Sequence, residues 1–269
     1  DEDLNLVGSA EINGAILRSG SGTQPNLEFN QTSDVDIAGN GQIEVEVLAS
    51  PSSGNTVTFT ELSSIGPLEH SGSGTLQFDQ QVEVAGNVDL TSDGTLTYDA
   101  GTASSSSGNV AISGAGTVDF NGPATIGNLE TSDGSASVKF ADDATVGALT
   151  DLTGGTVTFE SSSNIGSISY GDVSAATDVD LEGDATVSGN VDLNIGGSNA
   201  SNATLDVSGN ASIGGNVTVS DNGDGNATLT FQRSTSALKS TIGGTLTINS
   251  PSDGAAPTSE VVVEDNNDN

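Results

Sequence analysis

The sequence predicts an all-β chain: a single-domain parallel β-helix, or β-solenoid, of about ten short coils with an inward ladder of Phe, Val and Leu. Three observations carry this: a recurring four-residue cassette, the phase of the aromatic residues within it, and a composition suited to short strands and tight turns.

The cassette places an apolar residue second and an aromatic or large aliphatic residue fourth. Successive copies are TVTF at 56, TLQF at 75, TLTY at 95, TVDF at 117, SVKF at 137 and TVTF at 156, spaced 19 to 22 residues apart. DVDL at 178, TLDV at 204, TLTF at 228 and TLTI at 245 continue the series, and NLEF at 26 is expected to begin it. All 7 Phe fall on the fourth position: Phe29, Phe59, Phe78, Phe120, Phe140, Phe159 and Phe231. Tyr98 joins them. Alternation along a strand sends the second and fourth residues to one face, so the cassette Val and Leu share the ladder's side.

After each cassette the sequence runs through a polar turn, a second short strand, a Gly corner and a third strand. Ala211-Ser-Ile, Gly-Gly-Asn and Val217-Thr-Val show the pattern, and ATIGNLETSDG from Ala124 and ATVGALTDLTG from Ala144 repeat it. The corner glycines are expected to supply positive-φ conformations. Three strands and three turns per coil describe a β-helix of roughly triangular section. The solenoid is assigned to residues 1–250. Residues 251–269 read as a Pro/Gly linker, then a strand and an acidic tail, with Val261, Val262 and Val263 expected to dock on a neighbouring subunit.

Composition narrows function. There are 36 Gly, no Cys, Met or Trp, and 3% aromatic residues, which excludes a globular core of bulky side chains, disulfides and thiolate sites. The 37 Asp and Glu face only Arg18, Lys139, Arg233 and Lys239, for a net charge of -33. Nucleic acid is excluded as a partner. Such charge repels itself unless counterions screen it, and the Debye length falls to about 3 Å in molar salt, so a halophilic or Ca²⁺-rich medium is expected. No apolar run is long enough for a membrane span. The chain opens at Asp1, as a mature secreted protein does after signal-peptide removal, and an extracellular or cell-surface location is expected.

Catalytic material is sparse, and no enzyme is expected. His70, between Glu69 and Ser71, reads as a solvated surface residue. Lys139 with Asp142 and Asp143 could serve a polysaccharide-active β-helix, but a local salt bridge is the preferred reading. No cofactor is required. Ca²⁺ is the one ion the sequence could hold, in the turns at Ser92-Asp93-Gly94 and Ser132-Asp133-Gly134 and above all at Asp221 and Asp224 of the 220–226 loop. Thr-X-Thr pairs resemble the threonine arrays of ice-binding solenoids, yet Gln77, Asp119, Lys139, Asp178, Asp180 and Asp206 interrupt them. Sequons make Asn30, Asn199, Asn202, Asn210, Asn216 and Asn226 candidates for glycosylation.

Coils such as GGTLTIN from Gly243 and SGNVDLNIGG from Ser188 resemble the β-helical passengers of secreted adhesins and autotransporters. That resemblance implies a secreted surface protein. The expected function is a structural subunit of an extracellular filament or cell-surface layer, a homopolymer assembling end to end through its solenoid ends and terminal strands. The alternative is a monomeric adhesin or Ca²⁺-dependent module binding cell-surface glycans or other surface proteins.

Overall fold

Alternating apolar and polar residues, broken every few positions by Gly, Ser or Asn, leave each strand too short to bury a face alone. Each must lie on an equivalent strand one repeat away. The computed structural model describes residues 47–60, 64–99, 101, 105–171, 173, 175–195, 201–221, 225–233, 240–249 and 258–265, with strand residues 4–5, 10–11, 15–16, 27–29, 35–38 and 42–43. They form a parallel β-solenoid, with no helix among them. The chain divides into two compact units, residues 1–127 and 128–269.

In the N-terminal unit the cassette strands are Ala10–Glu11, Val35–Ala38, Thr56–Phe59, Thr75–Phe78, Thr95–Tyr98 and Thr117–Phe120, paired in parallel and in register. The second strands include Ala15–Ile16, Gln42–Ile43, Ser64–Ile65 and Glu83–Val84. The third strands are Leu4–Asn5, Leu27–Phe29, Val47–Ala49, Leu68–His70, Val88–Leu90 and Val110–Ile112. Three strands per coil, as the sequence predicts, thus recur along the unit.

The C-terminal unit repeats the plan. Its cassette strands are Ser137–Phe140, Gly155–Phe159, Thr177–Leu181, Ala203–Val207, Asn226–Arg233 and Thr258–Asp265. Ala144–Leu152 runs through second and third positions without a break, and Asp151 takes φ 50° where its register slips between Leu149 and Leu152. Above it lie second strands Ser163–Ile165, Ala185–Val187, Ala211–Ile213 and Thr241–Ile242, and third strands Ile168–Tyr170, Val191–Ile195, Val217–Asp221 and Leu246–Asn249.

The aromatic ladder is present. Phe59, Phe78, Tyr98 and Phe120 are buried and stack with successive ring centroids 5.0, 5.3 and 4.7 Å apart. In the C-terminal unit Phe140 and Phe159 stack at 4.6 Å, and the column continues through Leu181 and Val207 to a half-buried Phe231. Offset ring stacks of this kind add about 0.5–1.5 kcal/mol per pair beyond area burial.

Two cassettes are misplaced in the sequence reading. Phe29 aligns with Ala49, on a third strand, and Ile37 occupies the position below Phe59. Likewise the TLTI segment pairs with Val217–Asp221, a third strand, and the last cassette strand among the described residues is Thr258–Asp265, with Val261 on Leu229 and Val263 on Phe231. Third strands carry the same apolar–polar–apolar alternation as cassettes. Register alone tells them apart. The C-terminal strand beyond residue 250 therefore pairs along eight residues with its own chain; Pro251 to Pro257 lies outside the described residues.

The corner glycines also act differently from expectation. Among the described residues, positive φ occurs in Gly54, Gly101 and Gly155, not at most corners. A corner column instead runs Gly147, Gly166, Gly189, Gly215, Gly244, where a Cβ on Gly166 would lie 1.7 Å from the Gly147 carbonyl oxygen and one on Gly189 2.5 Å from that of Gly166. Coil-on-coil approach, not backbone handedness, demands Gly there.

Candidate functional site

Among the described residues, no strand covers the core positions on the last rungs of the C-terminal unit. Leu246 and Ile248 continue the inward columns of Val217 and Val219, both fully buried, and Val263 continues that of Phe231. With no described strand above them they are 41%, 47% and 72% exposed, and they are the exposed large hydrophobic residues among those described. Val261 and Val262, the other expected assembly residues, are half-buried on the same strand. Among the described residues no further strand pairs with the outer edges of Leu246–Asn249 and Thr258–Asp265, although Ser259 Oγ–H donates to the Asn249 carbonyl, and such edges beside apolar side chains are a template for strand addition.

The sequon asparagines serve the corners. The backbone N–H of Asn216 donates to Asn190 Oδ1 at 2.9 Å, and that of Thr245 to Asn216 Oδ1 at 2.9 Å. Asn226 donates its backbone N–H and its Nδ2–H to Asn202 Oδ1, both at 3.1 Å, while Asn210 Nδ2 donates to Asp184 Oδ1 at 2.8 Å. The signal was available in the recurrent Gly-Asn-Val at 86, 108, 189 and 215. At Asn202, Asn210, Asn216 and Asn226 a corner Asn, an inward Ala or Val and an outward Thr or Ser spell a sequon as a by-product of the repeat. Asn30 and Asn199 lie outside the described residues.

His70 is buried, not solvated. Its Nδ1 lies 3.2 Å from the Ala49 carbonyl oxygen, and its Nε2 lies 3.3 and 3.1 Å from those of Gly74 and Thr95. Its place in the inward column between Ala49 and Leu90 dictates this, since the third residue of a third strand faces inward whatever its polarity. Burial pulls its pKa below the ordinary 6.5, against the opposing pull of the three carbonyls.

Lys139 pairs with Glu160 at 2.7 Å, one coil on, rather than with Asp142 or Asp143. Asp142 Oδ1 accepts the Asp143 backbone N–H, and Asp143 Oδ1 accepts Ser161 Oγ–H, so local geometry occupies both carboxylates. On the outward cassette face Asp180 stacks directly on Asp206, with Asp178 beside it. Desolvation first, then Asp206, Asp178 and Glu182, raise the Asp180 pKa, while a hydrogen bond from Thr158 opposes them. Behind this face Tyr170 donates its hydroxyl to the Thr204 carbonyl. Burial and the same three aspartates lift its pKa well above 10.

Among the described residues no group of three or more His, Asp or Glu is placed to hold a metal ion. Asp221 ends the strand Val217–Asp221 in register with Ile195; its side chain and all of Asp224 lie outside the described residues. The Asp133 turn is closed by its own Oδ1, which accepts the Ser135 N–H at 2.8 Å. No described helix is long and apolar enough to cross a membrane. No family model matches the sequence, and no match was found among curated proteins or solved structures.

Proposed function

We propose that the protein is a structural subunit of an extracellular filament or cell-surface layer, built by end-to-end assembly of solenoids. The observation that supports this most directly is the exposure of Leu246, Ile248 and Val263, which continue the core columns on the last described rungs. A solenoid is stabilised coil by coil, and an end with apolar columns and free strand edges is completed by another coil of the same section. A head-to-tail contact joins unlike surfaces, and it propagates unless its rotation closes a ring.

The charge of -33 sets the conditions. Like-charged subunits associate only when the repulsion is screened, so assembly belongs to a medium of high ionic strength, in keeping with a secreted, halophilic setting. The role is mechanical, and the reading assigns no enzymatic chemistry.

Sedimentation across a salt series, with electron microscopy of the same samples, tests it. Polymers in molar salt that disappear in the Leu246→Asp/Ile248→Asp variant, or on removal of residues 251–269, with the β-sheet circular dichroism retained, support the reading. Monomers at every salt and protein concentration would sink it.

A further inference from the structure

Asn121 follows the cassette strand Thr117–Phe120 and opens the corner Asn121-Gly122-Pro123. Two packing demands meet there. The polar turn after a cassette takes a solvent-facing residue, and Asn121 is exposed. The next position lies against the preceding coil, where a Cβ would come within 2.5 Å of the Gly101 carbonyl oxygen, so only Gly fits at 122. The fold thus sets a side-chain amide beside a backbone nitrogen whose own residue has no side chain to shield it.

The hydrogen bonds of this corner leave that nitrogen unengaged. Asn121 donates its own N–H to the Tyr98 carbonyl at 2.9 Å, which anchors the turn on the preceding coil. Among the described residues neither the Asn121 side chain nor the buried Gly122 N–H has a hydrogen-bond partner. An orphaned buried N–H is rare. At the equivalent corners of the C-terminal unit Gly183 and Gly209 donate theirs to the Phe159 and Leu181 carbonyls, each at 3.3 Å.

We propose that Asn121–Gly122 is a self-modification site, at which the Gly122 nitrogen attacks Asn121 Cγ and the side-chain amide leaves as ammonia. The new bond joins Gly122 N to Asn121 Cγ, the bond from Cγ to Nδ2 breaks, and the Gly122 proton passes through solvent to the departing nitrogen. Water then opens the cyclic imide at either of its carbonyls and returns a proton to the Gly122 nitrogen, leaving aspartate or isoaspartate at 121. No oxidant, metal or second protein takes part. Asparagine is a chemically labile residue in general. Here ring closure removes an N–H that has no partner, so no hydrogen bond is lost, whereas the same step at Gly183 or Gly209 would break one. The product carries a carboxylate one rung from Asp99, which likewise follows a cassette strand, in a chain whose net charge is already -33. The inference is independent of the filament reading.

Peptide mapping by mass spectrometry tests it. The protein is held folded in mildly alkaline buffer, and in parallel unfolded in urea at the same salt and pH, then cut with chymotrypsin, which cleaves after Phe120 and Phe140. The peptide that begins at Asn121 is expected to gain the mass of an amide-to-acid conversion in the folded sample, at a rate comparable to that in urea and rising with pH. Retention of Asn121 by the folded protein while the unfolded chain converts would overturn the proposal. The three other Asn–Gly pairs, at 13, 40 and 222, lie outside the described residues and fall in other peptides.

A variant separates the corner's geometry from its dipeptide. Ser208→Asn builds an Asn–Gly pair at an equivalent corner, where the Gly209 N–H is engaged by the Leu181 carbonyl. Position 208 is expected to convert several-fold more slowly than Asn121 in the same folded molecules, and the two are expected to converge in urea. Equal rates in the folded state would overturn the role given to the free Gly122 nitrogen.

Discussion

The Nε2 atom of His70 lies 3.1 Å from the carbonyl oxygen of Thr95 in the next coil, while its Nδ1 faces Ala49 in the preceding one. The imidazole thus sits among carbonyl oxygens of three successive coils of the N-terminal unit, and in its neutral form only one of its nitrogens donates. Because burial lowers its pKa below 6.5, the unfolded chain takes up a proton at a pH where the folded chain does not. Stability from this group is therefore fully present above 6.5 and declines as pH falls through it. Urea midpoints of the wild type and His70→Gln from pH 8 to 5 check this: the difference between the two should depend on pH over this range. A constant difference would rule the effect out.

Tyr98 stacks between Phe78 and Phe120 with its hydroxyl buried and without a hydrogen-bond partner. Desolvation by burial raises its pKa above the ordinary value of 10. Tyr98→Phe keeps the stack and removes the unsatisfied group, so it should stabilise by about 1 kcal/mol in chemical denaturation. Phe78→Ala opens the same stack and should cost about 3–5 kcal/mol.

Gly166 and Gly54 separate two reasons for glycine. At Gly166 a methyl group would strike the Gly147 carbonyl, a backbone atom that cannot turn aside, and Gly166→Ala should cost about 3 kcal/mol. Gly54 has open space around it and φ 79°, so Gly54→Ala should cost only the left-handed penalty of about 1–2 kcal/mol. Thermal or urea unfolding of the two variants distinguishes the cases.

The ladder from Phe59 through Phe120 was legible because a one-residue slip would turn every aromatic ring outward, so the repeat keeps its phase strictly. Phe29 and the segment at 245 were misread because local alternation is the same in cassette and third strands, and only pairing across some twenty residues distinguishes them. His70 was misread by polarity, although its position two residues after Leu68 matched Leu90 after Val88 and Ile112 after Val110. The open end was legible only in part. Val261 to Val263 stand out as an apolar run, while Leu246 and Ile248 look like any buried pair until their exposure is seen.

Asp180 and Asp206 stand on adjacent rungs of the outward cassette face, and their repulsion is one the fold tolerates rather than uses. A carboxyl whose folded pKa is raised binds its proton more tightly in the folded state. Its contribution to stability is greatest below the unfolded carboxylate range and is lost as pH rises through the folded pKa. At neutral pH the charged form is therefore destabilising. Asp180→Asn retains an acceptor for the Thr158 hydroxyl and removes the like charge, so it should stabilise by about 0.5 kcal/mol in low salt. Because the group is half exposed, salt screens the interaction, and the gain should vanish as ionic strength approaches 1 M. Paired urea titrations at low and molar salt decide it. A gain that persists undiminished in molar salt would mean that relief of desolvation, not relief of repulsion, is the source.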